Sequence, residues 1–239
     1  MRRLMLTLLA LAAAALTLPA HASEAAVREA MKKRFPQFQV ESVTRTPLAG
    51  LYEVYGNGQV VYTDEKVNYL IDGQIIDAEK KVNLTQERMA KLTAIKFSDL
   101  PLKDSFRIVR GKGTRKVGYF ADPNCGYCKK VEQDLNKLDD VTIHVFLYPI
   151  LGQDSVDKSK AVWCSRDRNK VWLDWMLSNN APKGPATCDT SAIDRVLAFG
   201  RGKNISGTPT FILEDGQRIP GAVPLAQLEK MIADARPGK

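Results

Sequence analysis

The sequence predicts an α/β protein in two parts: a small α+β unit, then, past a linker helix, a larger domain built on a parallel strand–helix–strand unit with a helical insertion. Three observations predict it. Residues 38–82 read as short strand-like runs broken by glycine turns. From residue 105 onward strand-like runs alternate with helical ones, and the run 141–148 is apolar almost throughout, as a strand covered on both faces should be. Between a strand and the helix that follows it stands Cys125-Gly126-Tyr127-Cys128, two cysteines at a helix start.

The chain opens Met1-Arg2-Arg3, runs through residues 4–18 without a charge and reaches Pro19-Ala20-His21-Ala22. That pattern predicts a secretory signal over residues 1–22, cleaved after Ala22. A membrane anchor would need about 20 apolar residues and fits poorly with the small residues that end this run. No later stretch could span a bilayer, so no membrane insertion is expected. The 217 residues after Ala22 suffice for one large domain or for a small one plus a medium one. Net charge falls from +8 to +6 without Arg2 and Arg3, and the other basic residues are scattered among acids. The densest group, Arg107, Arg110, Lys112, Arg115 and Lys116, lacks the interleaved aromatics that single strands stack on, so nucleic acid is not an expected partner.

Residues 24–35 place Val27, Ala30, Met31 and Phe35 on one helical face, and Pro36 stops the helix. Strands are expected at 40–44, 51–55 and 59–62, with Gly56-Asn57-Gly58 as a hairpin turn between the last two. Val67, Tyr69 and Ile71 alternate before Asp72-Gly73, and Ile75 and Ile76 follow. A unit of this size, 23–82, buries little surface alone; dimerisation would relieve that, and so would packing as a cap on the larger domain. Residues 83–96 predict a helix capped by Asn83 or Thr85, with Met89, Leu92 and Ile95 on one face, inside a linker 83–100 that Leu100-Pro101 ends.

In the domain 101–239, strands 106–110 and 116–121 are joined at Gly111-Lys112-Gly113. Residues 125–138 are helical with Val131, Leu135 and Leu138 inward, and the strand 141–148 completes a parallel unit. Residues 154–200 are mostly helical, with Val171, Trp172, Trp175 and Met176 on one core face and Ile193, Val196 and Leu197 on another, closed by Gly200. A strand at 210–213, a turn at Asp215-Gly216, a short return strand at Arg218 and Ile219, and a helix carrying Leu225, Leu228, Met231 and Ile232 finish the chain.

Two residues between cysteines at a helix start let them close a small, reducible disulfide. Cys125 falls at the exposed end, where free N–H groups and the helix dipole favour an anion, so it is the expected nucleophile, with Cys128 one turn behind it. Half a zinc site is the competing reading. It wants a second close pair or closely spaced histidines, whereas Cys164 and Cys188 are 24 positions apart and His144 sits in an apolar run, so no metal is expected. In an oxidising compartment four cysteines tend to pair, and Cys164 with Cys188 is the partition left if Cys125 and Cys128 are taken together.

This order of elements resembles the thioredoxin fold with a helical insertion. Together with the signal, the small first unit, the linker helix and Cys-Gly-Tyr-Cys, it resembles the bacterial periplasmic disulfide isomerases of the DsbC family over essentially the whole mature chain. The resemblance implies that Cys125 attacks substrate disulfides, that Cys128 resolves trapped mixed disulfides, and that this redox-active pair needs no further cofactor. It implies that Gly126 and Tyr127 face substrate and that Thr208-Pro209 is the family's cis-proline loop, with Thr208 offering backbone hydrogen bonds. It further implies a structural disulfide between Cys164 and Cys188, a homodimer through the first unit, misfolded disulfide-containing exported proteins as substrates, and a membrane thiol reductase of the DsbD type as partner. Thioredoxin carries a buried acid on the strand before the motif, whereas 116–121 has no carboxylate; Asp122 at its edge reads as a cap or turn residue. Two rivals remain at this point: a disulfide oxidase working from the Cys125-Cys128 disulfide, and a holdase chaperone whose cysteines are incidental.

Overall fold

The computed structural model describes residues 20–184 and 187–235, with side chains from Ser23 onward. The expected signal lies outside the described residues except for its last three, whose side chains are not described. The chain divides into two units, one ending at Thr85 and the other beginning at Gln86.

In the first unit, α1 (Ala20–Arg34) lays Val27 and Met31, both fully covered, into a core with Val43, Tyr52, Val54, Val61 and Val67. These come largely from an antiparallel sheet of β1 (Val40–Arg45), β2 (Leu51–Gly56), β3 (Gln59–Asp64) and β4 (Leu70–Ile71), in that order. Asn57 and Gly58 turn the β2–β3 hairpin with φ of 51° and 76°, the doubly left-handed turn whose twist matches paired strands. The alternation at Val67, Tyr69 and Ile71 does not give a strand of that length. The Asp64 carboxylate accepts the N–H groups of Lys66, Asn68 and Tyr69, winding the chain into a loop before β4. This turns Val67 inward and leaves Tyr69 76% exposed.

A small hairpin of β5 (Ile76–Asp77) and β6 (Val82–Asn83) precedes α2 (Leu84–Leu92). The helix expected over 83–96 is thus shorter. Thr93 donates its hydroxyl back to the Met89 carbonyl, and the Ile95 N–H bonds the Gly216 carbonyl, so the chain leaves the helix to bury Ile95 and Leu100 in the core of the second unit.

The second unit is a five-stranded sheet of β7 (Phe106–Arg110), β8 (Arg115–Ala121), β9 (Val141–Leu147), β10 (Thr210–Leu213) and β11 (Arg218–Pro220), in the order β11-β10-β8-β9-β7. Successive side chains point to opposite faces. Val117, Tyr119 and Ala121, then Val141, Ile143, Val145 and Leu147, enter one core, while Phe120, Phe146, Tyr148 and Ile212 enter another. Among the described residues β8 and β9 form the one parallel pair, joined through α3 (Gly126–Leu135).

Although β7 and β8 are joined at Gly111-Lys112-Gly113, they do not pair: β9 lies between them, and Val141 faces Arg110 on one side and Arg115 on the other. The connection arches over the start of β9, held where Asp140 accepts the Thr114 N–H at 3.0 Å.

The helical insertion is α4 (Gln153–Cys164), α5 (Arg168–Ser178) and α6 (Ser191–Gly202), and α7 (Leu225–Asp234) ends the unit. Gly200 does not close α6 but lies inside it, against Tyr148: a Cβ there would stand 2.4 Å from the ring. Cys164, at the end of α4, is bonded to Cys188 in the segment before α6. Among the described residues no helix is long and apolar enough to cross a membrane.

Candidate active site

The end of β8 delivers the chain into Asp122-Pro123-Asn124, and the Cys125 N–H closes that turn on the Asp122 carbonyl at 3.1 Å. Cys125 is the N-cap of α3, its sulfur accepting the Cys128 N–H at 3.2 Å. Its thiol also reaches the Thr208 carbonyl, 3.3 Å away on the loop before β10. The Thr208–Pro209 bond is cis, and the Pro209 carbonyl accepts the Gly221 N–H at 2.8 Å. The expectation that Cys125 stands exposed is corrected by this loop, which leaves the residue only 5% open. Gly126 and Tyr127 are exposed on the first turn of α3, whereas Cys128 is fully covered.

Both cysteines are free thiols, and their surroundings drive their proton affinities apart. The side chain of Cys128, with help from Thr208 and from the N–H groups of Cys128 and Tyr127, holds the Cys125 thiol down at about 6, against an opposing push from burial. Burial, and then the neighbouring Cys125, push the Cys128 thiol far above its ordinary range. At neutral pH the first sulfur is therefore a thiolate and the second a thiol.

Asp122 is fully buried, and its carboxylate accepts the N–H groups of Asn124, Ile150 and Leu151 and the Ser155 hydroxyl, at 2.7 to 2.9 Å. It therefore ties the turn before Cys125 to the segment between β9 and α4. Asn124 adds a bond to Asp154 at 2.7 Å. Trp175, expected in the core, is half-buried: its Nε1 donates to the Pro123 carbonyl at 2.6 Å, and the ammonium of Lys129 lies 3.6 Å from its ring centre. Glu132, unexpected at the sequence level, is 1% exposed and takes a hydrogen bond from Trp172 Nε1 at 3.2 Å. Burial raises its carboxyl to about 7, opposed by Trp172 and by the charge of Arg110. Its position was readable: 128, 131, 132 and 135 form one helical stripe, and an acid inside an otherwise apolar stripe signals a buried role. Among the described residues no group of three or more His, Cys, Asp or Glu side chains could hold a metal ion.

Residues 18–86 match the family described as the disulfide bond isomerase protein N-terminal domain, and residues 102–236 match the thioredoxin-like domain. A probable thiol:disulfide interchange protein DsbC of Bordetella pertussis is 43% identical over 204 residues, covering 85% of this chain and 72% of that protein. The thiol:disulfide interchange protein DsbC of Escherichia coli K12 is 28% identical over 221 residues, 89% of each. A disulfide interchange protein from Neisseria gonorrhoeae, known from its crystal structure, superposes with a TM-score of 0.54 at 36% identity, over 57% of this chain and 98% of that one. With its first unit and its thioredoxin-fold domain both matched, the chain belongs to the DsbC family of thiol:disulfide interchange proteins.

Proposed function

We propose that this chain is a periplasmic homodimeric disulfide isomerase that reshuffles wrong disulfides in exported proteins. The observation that carries the reading is the split between two sulfurs three positions apart in one helix turn: a thiolate at Cys125, capping the helix, and a thiol at Cys128. The Cys125 thiolate attacks a substrate disulfide and forms a mixed disulfide. A substrate thiolate then displaces Cys125 to make the correct bond, or Cys128 displaces the substrate and leaves a Cys125–Cys128 disulfide. A membrane thiol reductase of the DsbD type returns that disulfide to two thiols. Gly126 and Tyr127, the latter 68% exposed, and the Thr208–Pro209 loop flank the attacking sulfur and are the surfaces a substrate chain meets.

The test is refolding of a scrambled multi-disulfide protein. Cys125→Ala is expected to fall to the uncatalysed rate, and alkylation of Cys125 in the wild type is expected to rise through about pH 6 and level off, with Cys128 unreactive there. A variant that retains isomerisation, or two thiols that alkylate together, would sink the assignment.

The homodimer rests on the first unit. β4 is an edge of the sheet and only two residues long, and Tyr69, Leu70 and Ile71 leave apolar side chains exposed along it. A second copy of the same unit fits such an edge, and two active sites held together keep a substrate in reach while its thiols rearrange. A protein beginning at Gln86, which keeps Ile95 and Leu100 in their core, is expected to be monomeric, to reduce simple disulfides and to lose most isomerase activity. Sedimentation and refolding on the same preparation check this; a fully active monomer removes the dimer from the mechanism.

A further inference from the structure

We propose that Glu132, on the buried face of α3, accepts the Cys128 proton when that residue resolves a mixed disulfide. The inference rests on the resolving role given to Cys128 above. The step demands an acceptor: Cys128 is fully covered, holds its proton tightly and must attack as a thiolate, yet β8 carries no acid.

The phenol of Tyr119, fully buried on β8, donates to the Cys128 carbonyl at 3.3 Å and so holds the turn that carries the thiol. Glu132 is on the same helical face one turn further on, and helical side chains lean toward the N-terminus, so its carboxyl covers the turn that carries Cys128. Trp172 from α5 fixes the carboxyl by its Nε1–H. Arg110 from β7 is the cation that acts on it, while β9 and β10 supply apolar side chains and α7 supplies Leu228 and Ile232. The carboxyl's affinity, about 7, lets it hold or give up a proton near neutral pH.

The step balances within the site. As the Cys128 thiol proton passes to the Glu132 carboxylate, the Cys128 sulfur bonds the Cys125 sulfur. The bond from Cys125 to the substrate sulfur breaks, and that sulfur leaves with the electron pair and takes a proton from water.

The measurement is rapid-quench release of glutathione from the Cys125–glutathione mixed disulfide of the full chain, between about pH 5 and 9. Wild type is expected to release it with an inflection near 7, the carboxyl's own value. Glu132→Gln is expected to abolish that inflection and to slow release about 10- to 100-fold at neutral pH. A merely structural role would lower the rate at every pH and leave the inflection in place, and that result, or release as fast as wild type in Glu132→Gln, overturns the inference. If wild type and a Cys128→Ala variant release glutathione equally, the resolving role of Cys128 falls and the inference with it.

Discussion

Asp122→Ala is expected to cost about 4 kcal/mol of stability, because one fully buried carboxylate satisfies three N–H groups and a hydroxyl, and each donor orphaned inside the protein costs on the order of 1 kcal/mol or more. Denaturant unfolding of wild type and variant reads the loss directly. Asp122→Asn should fall between the two, since its amide offers one acceptor where the carboxylate offers two. A change below about 1 kcal/mol in the alanine variant would mean the segment between β9 and α4 holds itself in place without this carboxylate.

Glu132→Gln should stabilise the protein above neutral pH. The folded protein raises this carboxyl from its ordinary 4.5 to about 7, so the folded state binds its proton more tightly than the unfolded chain does. The contribution is full below about 4.5, falls as pH rises through about 7, and is gone above it. The shift corresponds to roughly 3 kcal/mol at about pH 8. Glutamine is neutral throughout and can still accept the Trp172 N–H. Wild type and variant should therefore unfold at similar urea concentrations in mild acid, and the variant should be the more stable near pH 8, by a margin of about 3 kcal/mol. Parallel stability curves would show that the carboxyl titrates normally.

Local patterns carried much of the fold and of the site. Period-two runs gave the strands, Gly56-Asn57-Gly58 gave a hairpin, and the cysteine pattern marked the helix start that Cys125 caps. What escaped was fixed by partners far away in sequence. A glycine-rich connection between 106–110 and 116–121 suggests neighbours, but a strand some 30 positions on takes the place between them. Ile95 ends α2 early because its N–H and its side chain are both claimed by the second unit. Trp175 reads as core by spacing, yet its indole N–H is needed at Pro123. Asp122 was legible as a turn residue but not as the hub of two segments, since three of its four donors, at Ile150, Leu151 and Ser155, lie 28 to 33 residues away.

The Cys164–Cys188 bond makes the insertion tolerant of a cut chain. Asn180, Ala181, Lys183 and Gly184 are exposed between α5 and α6, and exposed irregular segments are where proteases enter. Trypsin cleaving after Lys183 leaves Cys164 in one fragment and Cys188 in the other. The two pieces would migrate as one band on a denaturing gel until a reductant separates them, so damage at this site is invisible to any assay run without one.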